Sequence, residues 1–112
     1  MVPVPLHWRR RLARGFNQSE LICRDLSGWL EGPSWYPLLG RRRHTPSQSA
    51  LPAGRRSGNV RGAFRLRRRF RGLRHVALVD DVMTTGSTVD ECARVLRRAG
   101  IERVDIWVIA RA

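Results

Sequence analysis

Apolar residues recur at helical spacing in two stretches of the chain, and each stretch carries its own end signals. Over residues 17–30 they favour a helix, with Asn17 as the N-cap and Glu20, three residues later, as its capping-box partner. Over Thr88 to Ala99 apolar residues fall on one helical face and charged residues on the other, and the following Gly100 is typical of a helix C-terminus. The pattern therefore predicts two amphipathic helices.

Shorter apolar runs predict the strands. Val2 to Pro5 is expected to be extended, because each proline fixes its own φ and disfavours helix in the residue before it. Trp35 to Leu39 is bounded by turn residues, and His75 to Val79 and Val104 to Ile109 are continuous apolar runs typical of strands buried in parallel sheets. The last two, with the second helix between them, form a βαβ unit. We therefore predict one α/β domain over residues 1–112, with a mostly parallel sheet flanked by helices.

Arginine supplies all the positive side-chain charge and is concentrated in the middle of the chain. All 22 basic residues are Arg, against nine acids, which gives a formal net charge of +13 at pH 7. Residues 41–74 hold 12 of these arginines and no acid. Because residues 41–61 also contain scattered Pro and Gly, they are predicted to form a long mobile loop, which at this length is usually functional or disordered. The excess of Arg favours an anionic partner, and codon bias is the alternative explanation.

The number and spacing of the cysteines indicate the cellular compartment and restrict the metal sites that the chain could form. Cys23 and Cys92 are too few for a disulfide framework and form no CxxC pair, so a cytoplasmic location is expected. Together with the three histidines they show no metal-ligand spacing, and no metal site made by the protein alone is predicted. No segment approaches the ~20 apolar residues of a membrane span. The absence of Lys excludes enzymes that need a lysine Schiff base.

The segment after the third predicted strand carries the clearest chemistry. Asp80 and Asp81 open a polar loop, predicted over residues 80–87, which ends in the hydroxyl-rich run Thr84-Thr85-Gly86-Ser87-Thr88 at the start of a helix. Ligands bind at this edge of open α/β sheets, and the N–H groups and hydroxyls there predict a phosphate cradle. The carboxylates suit ribose hydroxyls or Mg²⁺. Alternatively, the acids only favour the helix N-terminus and the loop is an ordinary turn and cap.

Five segments, taken in order, resemble the ComF/GntX family of phosphoribosyltransferase-like proteins, which are associated with competence and DNA uptake. The resemblance covers nearly the whole chain and implies a type I phosphoribosyltransferase fold. Longer members of the family carry an N-terminal four-cysteine zinc ribbon and a helix before the first strand, so the resemblance implies an N-terminally truncated version. The matching segments are Pro3-Val4-Pro5-Leu6-His7, Arg14-Gly15-Phe16-Asn17-Gln18, Thr45-Pro46-Ser47-Gln48, Arg56 through Asn59 to Ala63-Phe64, and Val79 through Thr88.

The resemblance also implies a substrate, 5-phosphoribosyl-1-pyrophosphate (PRPP), and a role for each motif. Asp80 and Asp81 would hold the ribose 2′- and 3′-hydroxyls, with Mg²⁺ bridging the substrate. Arg55 and Arg56 would clamp the pyrophosphate from the flexible loop during transfer to an acceptor, although a solvated loop charge is the alternative for both. The remaining substrate contacts would come from Thr84, Thr85, Gly86, Ser87 and Thr88 around the 5-phosphate and from Pro5, Leu6 and His7 in the pyrophosphate loop.

A non-enzymatic function is the alternative: a competence protein that contacts single-stranded DNA, or a sensor of PRPP or a nucleotide. The basic run Arg65 to Arg74 could contact a nucleic-acid backbone, and Phe64 and Phe70 could stack on bases. A solvated connection between strands is the simpler interpretation of this run. Trp29 and Trp107 form no stacking platform and are predicted to lie in the core or at its edge.

An incomplete sheet edge is expected at Val2 to Pro5, and such an edge favours pairing with another chain. The sequence leaves the oligomeric state open, and a homo-oligomer is one outcome that this edge would favour.

Overall fold

The computed structural model describes residues 1–5, 16–30, 34–41, 60–83 and 85–112. Strands and helices alternate in the second half of the chain as predicted. The elements in chain order are β1 (Val2–Pro3), α1 (Gln18–Trp29), β2 (Leu39–Arg41), β3 (Phe64–Leu66), β4 (His75–Met83), α2 (Ser87–Arg98) and β5 (Arg103–Arg111).

Three strands form a parallel sheet in the order β1, β4, β5. Val2 pairs with Leu78, and β4 pairs with β5 from His75 opposite Arg103 to Met83 opposite Arg111. A separate antiparallel ribbon joins β2 to β3. The α/β class and the parallel β4–α2–β5 unit are therefore confirmed. Because the three strands run the same way, their carboxyl ends meet at one edge of the sheet.

The core lies on both faces of the parallel sheet. On one face, α2 and the β2–β3 ribbon bury Leu78 and Leu96 in a large apolar cluster. On the other face, α1 buries Cys23 against Ala77 and Val79 in a smaller cluster. Fully burying one such large aliphatic side chain contributes roughly 1.5–3 kcal/mol. The two layers fix β4 from both sides and hold its carboxyl end in place.

Each helix begins as the sequence predicts, close to the carboxyl edge of the sheet. The Asn17 side chain accepts a hydrogen bond from the Ser19 N–H (3.0 Å) and donates one to the Val4 carbonyl (3.1 Å). This buried residue therefore caps α1 and fastens the helix start to the end of β1. Helix α2 starts after Gly86, whose φ of 85° is easy only for glycine, and Gly100 follows its end with a φ of 108°.

Two strand predictions need correction in their extent. The sequence predicts the second strand over Trp35 to Leu39, but β2 begins only at Leu39. The reason is that the pairing with β3 runs from Leu39 to Arg41. The predicted polar loop over residues 80–87 is wrong in its first half, since β4 continues to Met83. The extension follows from β5, which is long enough to keep pairing beyond the apolar run, with Asp80 opposite Val108.

The last strand is exposed, contrary to its apolar composition. Strand β5 forms an edge of the three-stranded sheet, and most of its side chains are open to solvent. Trp107 is accordingly only partly covered, and Trp29 is 86% exposed, so the prediction of two core tryptophans is wrong for Trp29. The reason is that α1 turns its other face, with Cys23, toward the sheet.

Strand β1 is the other edge of the parallel sheet, and the residue before it is bonded to residues 34–36. Val2 and Val4 are buried, the Met1 ammonium donates to the Ser34 carbonyl (2.8 Å), and the Tyr36 N–H donates to the Met1 carbonyl (2.9 Å). Residues 34–36 therefore pair with Met1, just before the first strand. Of the two edges of the parallel sheet, β5 is the one with exposed apolar side chains.

The predicted mobile loop over residues 41–61 lies largely outside the described residues, apart from Arg41 in β2 and residues 60–61. Just after it, the Gly62 N–H donates to Glu91 Oε1 (3.0 Å), which joins the chain beyond the end of this loop to α2. Glu91 also binds Arg94, and that hydrogen bond lowers the pKa of the Glu91 carboxyl. Within the part of the chain that the structure describes, no helix is long and apolar enough to span a membrane.

Candidate functional site

The acid pair stands near the carboxyl end of β4. The Asp81 N–H donates to Asp80 Oδ1 (2.9 Å), and the Val82 N–H donates to Asp81 Oδ1 (2.8 Å). Each carboxylate is thus turned back toward the backbone that follows it, which limits its rotation. Both side chains are half-buried at the sheet edge where ligands of open α/β sheets bind.

Ser19 joins the acid pair from α1. Its hydroxyl donates to Asp80 Oδ1 at 3.3 Å, although the two residues are 61 positions apart in the chain. Ser19 is buried in the first turn of α1, and its own N–H is the one that Asn17 caps. No local pattern in the sequence indicates this role. The N-cap pattern indicates only that Ser19 lies in the first turn of α1.

A cleft of about 110 Å³ opens beside these groups. It lies where the carboxyl ends of β1 and β4 meet the starts of both helices, so two helix dipoles present their positive ends to it. Its volume is below the range of about 300–1,000 Å³ for pockets that enclose a whole small molecule, and it suits a single sugar or phosphate group. The cleft is lined by Val4, Pro5, Asn17, Gln18, Ser19, Arg41, Asp80, Asp81 and Thr88.

A larger cleft of about 260 Å³ adjoins the first one, since the two share Pro5, Asn17 and Arg41 in their linings. The β2–β3 ribbon adds Arg65 and Arg67 to it. Side chains of opposite charge therefore line two neighbouring clefts. The smaller, carboxylate-lined cleft holds Asp80 and Asp81, and the larger, arginine-lined cleft holds three arginines together with Glu20.

Gly40 permits the arrangement of the arginine-lined cleft. The side chain of Arg67 crosses directly over this residue, and a Cβ on Gly40 would lie 2.7 Å from Arg67 Cγ. The Arg41 guanidinium lies over the Phe64 ring, 5.3 Å from its centre, a distance at which a cation and an aromatic ring attract. Sequence reasoning counted Arg41 only as one of the 12 arginines of residues 41–74, because its contacts depend on how the ribbon pairs.

Burial perturbs Asp80, one member of the acid pair. The pKa of Asp80 is raised to about 7, mainly because its carboxyl is withdrawn from water and also because Asp81 lies beside it, while the hydrogen bond from Ser19 acts in the opposite direction. Shifts of this size are common where groups are arranged for binding or catalysis. A ligand that brings hydroxyl donors or positive charge to Asp80 would favour its ionised form.

The site offers oxygen ligands, which are the kind that Mg²⁺ prefers. Asp80 and Asp81 provide two neighbouring carboxylates, a number that Mg²⁺ typically combines with phosphate oxygens and water. Among the described residues no group of three or more His, Cys, Asp or Glu could hold a metal ion. The residues present thus fit an ion that is held mainly by a substrate and lies beside the acid pair.

The hydroxyl-rich loop is only partly in this cleft. Thr88 lines it, whereas Thr85, Gly86 and Ser87 are absent from its described lining. Thr85 Oγ1 lies 2.8 Å from Ser87 Oγ and accepts from the Ser87 N–H at 3.3 Å, which closes a tight turn before α2. The other predicted site residues lie outside the described residues: Leu6, His7, Arg55, Arg56 and Thr84.

The basic run around β3 is a solvent-facing surface. Arg65, Arg67, Arg68, Arg69, Arg71 and Arg74 are all exposed. The prediction that Phe64 stacks on bases is wrong, because this ring is 3% exposed and belongs to the core, and Phe70 packs against the same cluster. These rings are covered because they pack in the apolar cluster between the ribbon and the sheet.

Comparison with known proteins gives three informative relatives. The chain is 43% identical over 115 residues to competence protein F of Haemophilus influenzae, covering 100% of this chain and 50% of that protein. It is 46% identical over 111 residues to DNA utilization protein YhgH of Escherichia coli K12, covering 99% and 48%. It is 31% identical over 100 residues to competence protein ComFC of Bacillus subtilis, covering 89% and 39%.

No family model and no solved structure matches the chain. The chain spans about half the length of the curated relatives it matches. At this identity over its full length, it belongs to the ComF family.

Proposed function

We propose that the chain binds PRPP, or a related phosphoribosyl compound, together with Mg²⁺ in the cleft beside the acid pair. The observation that carries the proposal is the lining of this cleft, where Asp80, Asp81 and Thr88 from the predicted PRPP loop meet Pro5 from the end of the first strand. Pro5 is at least 75 positions from the other three residues in the sequence, and the resemblance assigns all four to the same ligand. The type I phosphoribosyltransferase fold is part of the same proposal.

The chemistry of the two clefts suits the parts of PRPP. The carboxylates of Asp80 and Asp81 accept hydrogen bonds from the ribose hydroxyls, and the 5-phosphate lies at the start of α2 with Thr88. The pyrophosphate extends to the arginine-lined cleft, where Arg65 and Arg67 balance its charge. Arg55 and Arg56 act as additional clamps. When bound, Mg²⁺ supplies positive charge that stabilises the pyrophosphate.

We also propose that the bound phosphoribosyl group is transferred to an acceptor. The acceptor's nucleophilic atom bonds to ribose C1 while the bond from C1 to the pyrophosphate oxygen breaks, and the electron pair leaves with pyrophosphate. The contribution of the chain's own residues is electrostatic, because negative charge grows on the departing group and preorganised arginines stabilise it. Release of pyrophosphate distinguishes this enzyme from a sensor that binds PRPP and leaves it intact.

Calorimetric titration of PRPP with Mg²⁺ tests the binding site. We expect binding by the unaltered chain and a loss of affinity of about 100-fold or more in the double variant Asp80→Asn/Asp81→Asn, because each charged hydrogen bond contributes roughly 1.5–3 kcal/mol. Asp25→Asn is the matched control, since Asp25 is an exposed acid on α1. Equal affinity in the folded double variant, or no binding by the folded unaltered chain, would contradict the proposal.

A second function is favoured by the exposed arginines and by the relatives, which are named for competence and DNA utilization. We propose that the chain also handles single-stranded DNA in competence or DNA utilization, through the six exposed arginines between residues 65 and 74. Contacts of this kind go to phosphates and carry no sequence preference. We place both functions in the cytoplasm, in keeping with the two buried cysteines, which are free thiols.

Salt dependence of oligonucleotide affinity tests this second function. In the variant Arg68→Gln/Arg69→Gln/Arg71→Gln we expect weaker binding and a shallower dependence on salt, by about 0.7 in the logarithmic slope for each lost phosphate contact. Arg24→Gln, an exposed arginine on α1, is the control. Binding that depends on Asp80 and Asp81 and is indifferent to the three arginines would place DNA at the acid pair and refute this surface.

A further inference from the structure

Strand β5 presents a long edge that no described strand covers. It pairs with β4 along its full nine residues, while its other side pairs with no strand in residues 1–5, 16–30, 34–41, 60–83 or 85–112. The strand contains no proline and no glycine, which are the residues that commonly interrupt such an edge. Its backbone is therefore a template for pairing with another strand.

The side chains along this edge are apolar and open to solvent. Ile106 is 39% exposed, Trp107 is 40% exposed and Ile109 is 71% exposed. Helix α1 packs on β1 and β4 and leaves the adjacent face of β5 bare. An exposed edge of this length and hydrophobicity marks an association surface, because solvent contact with these side chains is unfavourable.

We propose that β5 pairs antiparallel with β5 of a second copy of this chain, around a two-fold axis that passes through Val108. The pairing joins the two three-stranded sheets into one six-stranded sheet. Residues directly opposite each other lie on the same face of such a pair, so Trp107 of each copy packs on Ile109 of the other, and Ile106 on Ala110. Two-fold symmetry forms every contact twice.

Charge selects this register among its neighbours. With Val108 on the axis, Asp105 of each copy lies opposite Arg111 of the other. A shift that puts Trp107 on the axis would instead set Arg103 opposite Arg111, and like charges directly opposite each other are unfavourable. A shift that puts Ile109 on the axis would lose the pairing of Asp105 with Arg111 and set Trp107 opposite Arg111.

Asp105 is already held in place for this contact. Its Oδ2 lies 2.7 Å from His75 Nε2, and its Oδ1 accepts from Arg103 Nε at 3.1 Å. A carboxylate has about four acceptor positions, so both oxygens retain capacity for an arginine of the second copy. The same two neighbours lower the pKa of Asp105, which keeps it ionised.

Cysteine crosslinking tests the register directly. Val108→Cys places a thiol next to its own copy across the axis, about 5 Å away between Cβ atoms, and we expect a covalent dimer with a short bis-thiol crosslinker. Ala110→Cys is the matched control, because in this register its two copies are four residues apart along the strands, about 13 Å. Cys23 and Cys92 are buried and do not contribute.

A mixture of Ile106→Cys and Ala110→Cys chains provides a second test that does not need Val108. We expect crosslinks between an Ile106→Cys chain and an Ala110→Cys chain, and none in a sample that contains only one of the two variants. Crosslinking of Ala110→Cys to itself, with none for Val108→Cys, would overturn the proposed register.

Sedimentation of the full chain tests whether the dimer forms in solution. We expect a mass of twice 12.9 kDa that falls toward the monomer on dilution. Arg111→Glu, which sets a carboxylate opposite Asp105, should raise the dissociation constant at least tenfold, and Arg111→Lys should change it little. A monomer at the highest soluble concentration would refute the proposal. Because Arg111 does not line the cleft beside the acid pair, PRPP titration of Arg111→Glu separates this outcome from failure of the proposed function.

Discussion

Leu78→Ala is expected to lower the free energy of unfolding by about 3–5 kcal/mol, which is a large part of the stability of a domain of this size. Leu78 is 0% exposed and lies in the central strand of the sheet, between Val2 of β1 and Ile106 of β5. It belongs to the cluster that Leu96 joins from α2. Truncation leaves a cavity that neighbours on both sides are too constrained to fill.

Urea unfolding measures this loss as a lower midpoint with an unchanged slope. Leu30→Ala removes the same atoms at a position that is 43% exposed, and we expect a change of less than about 1 kcal/mol. Similar losses in the two variants would show that β4 is not the centre of the core. The variant should still bind PRPP under conditions where it is folded, because Leu78 does not line the cleft.

The parts of the fold that could be predicted from the sequence are those specified by neighbouring residues. The Asn17 cap, Gly100 after α2 and the β4–α2–β5 unit all follow from short local patterns. The exposure of β5 could not be predicted in this way. An apolar run has the same composition in a central strand and at an edge, and only the order of strands in the sheet decides which it becomes.

The residues of the candidate site also include some that could be predicted from the sequence and some that could not. Asp80, Asp81 and Thr88 stand within one segment, so their proximity could be inferred from the strand, loop and helix order. Ser19 and Arg41 reach the cleft from α1 and β2, and their positions depend on how these elements pack. Polar residues contributed by distant elements leave no periodic signal in the chain, which is why sequence reasoning missed them.

Asp80→Asn is expected to make the chain more stable at neutral pH while it weakens the site. The pKa of Asp80 is raised from 3.8 to about 7 in the folded chain, because the carboxyl is buried beside Asp81. An acid with a raised pKa contributes stability below the pKa of the unfolded chain, and this contribution is lost as the pH rises through the folded value. Between pH 4 and pH 8 the ionised carboxylate therefore costs the folded state on the order of a few kcal/mol, at about 1.36 kcal/mol for each pKa unit.

Urea unfolding of the unaltered chain and of Asp80→Asn, repeated across this pH range, measures the effect. The difference in stability should grow in favour of Asp80→Asn as the pH rises, with most of the change complete by about pH 8. Asp25→Asn, at an exposed position on α1, should follow the unaltered chain. Parallel curves for Asp80→Asn and the unaltered chain would contradict the raised pKa. A stabilised variant that no longer binds PRPP would mean that the chain keeps a costly buried carboxylate because its ligand needs it, the usual exchange of stability for function at a binding site.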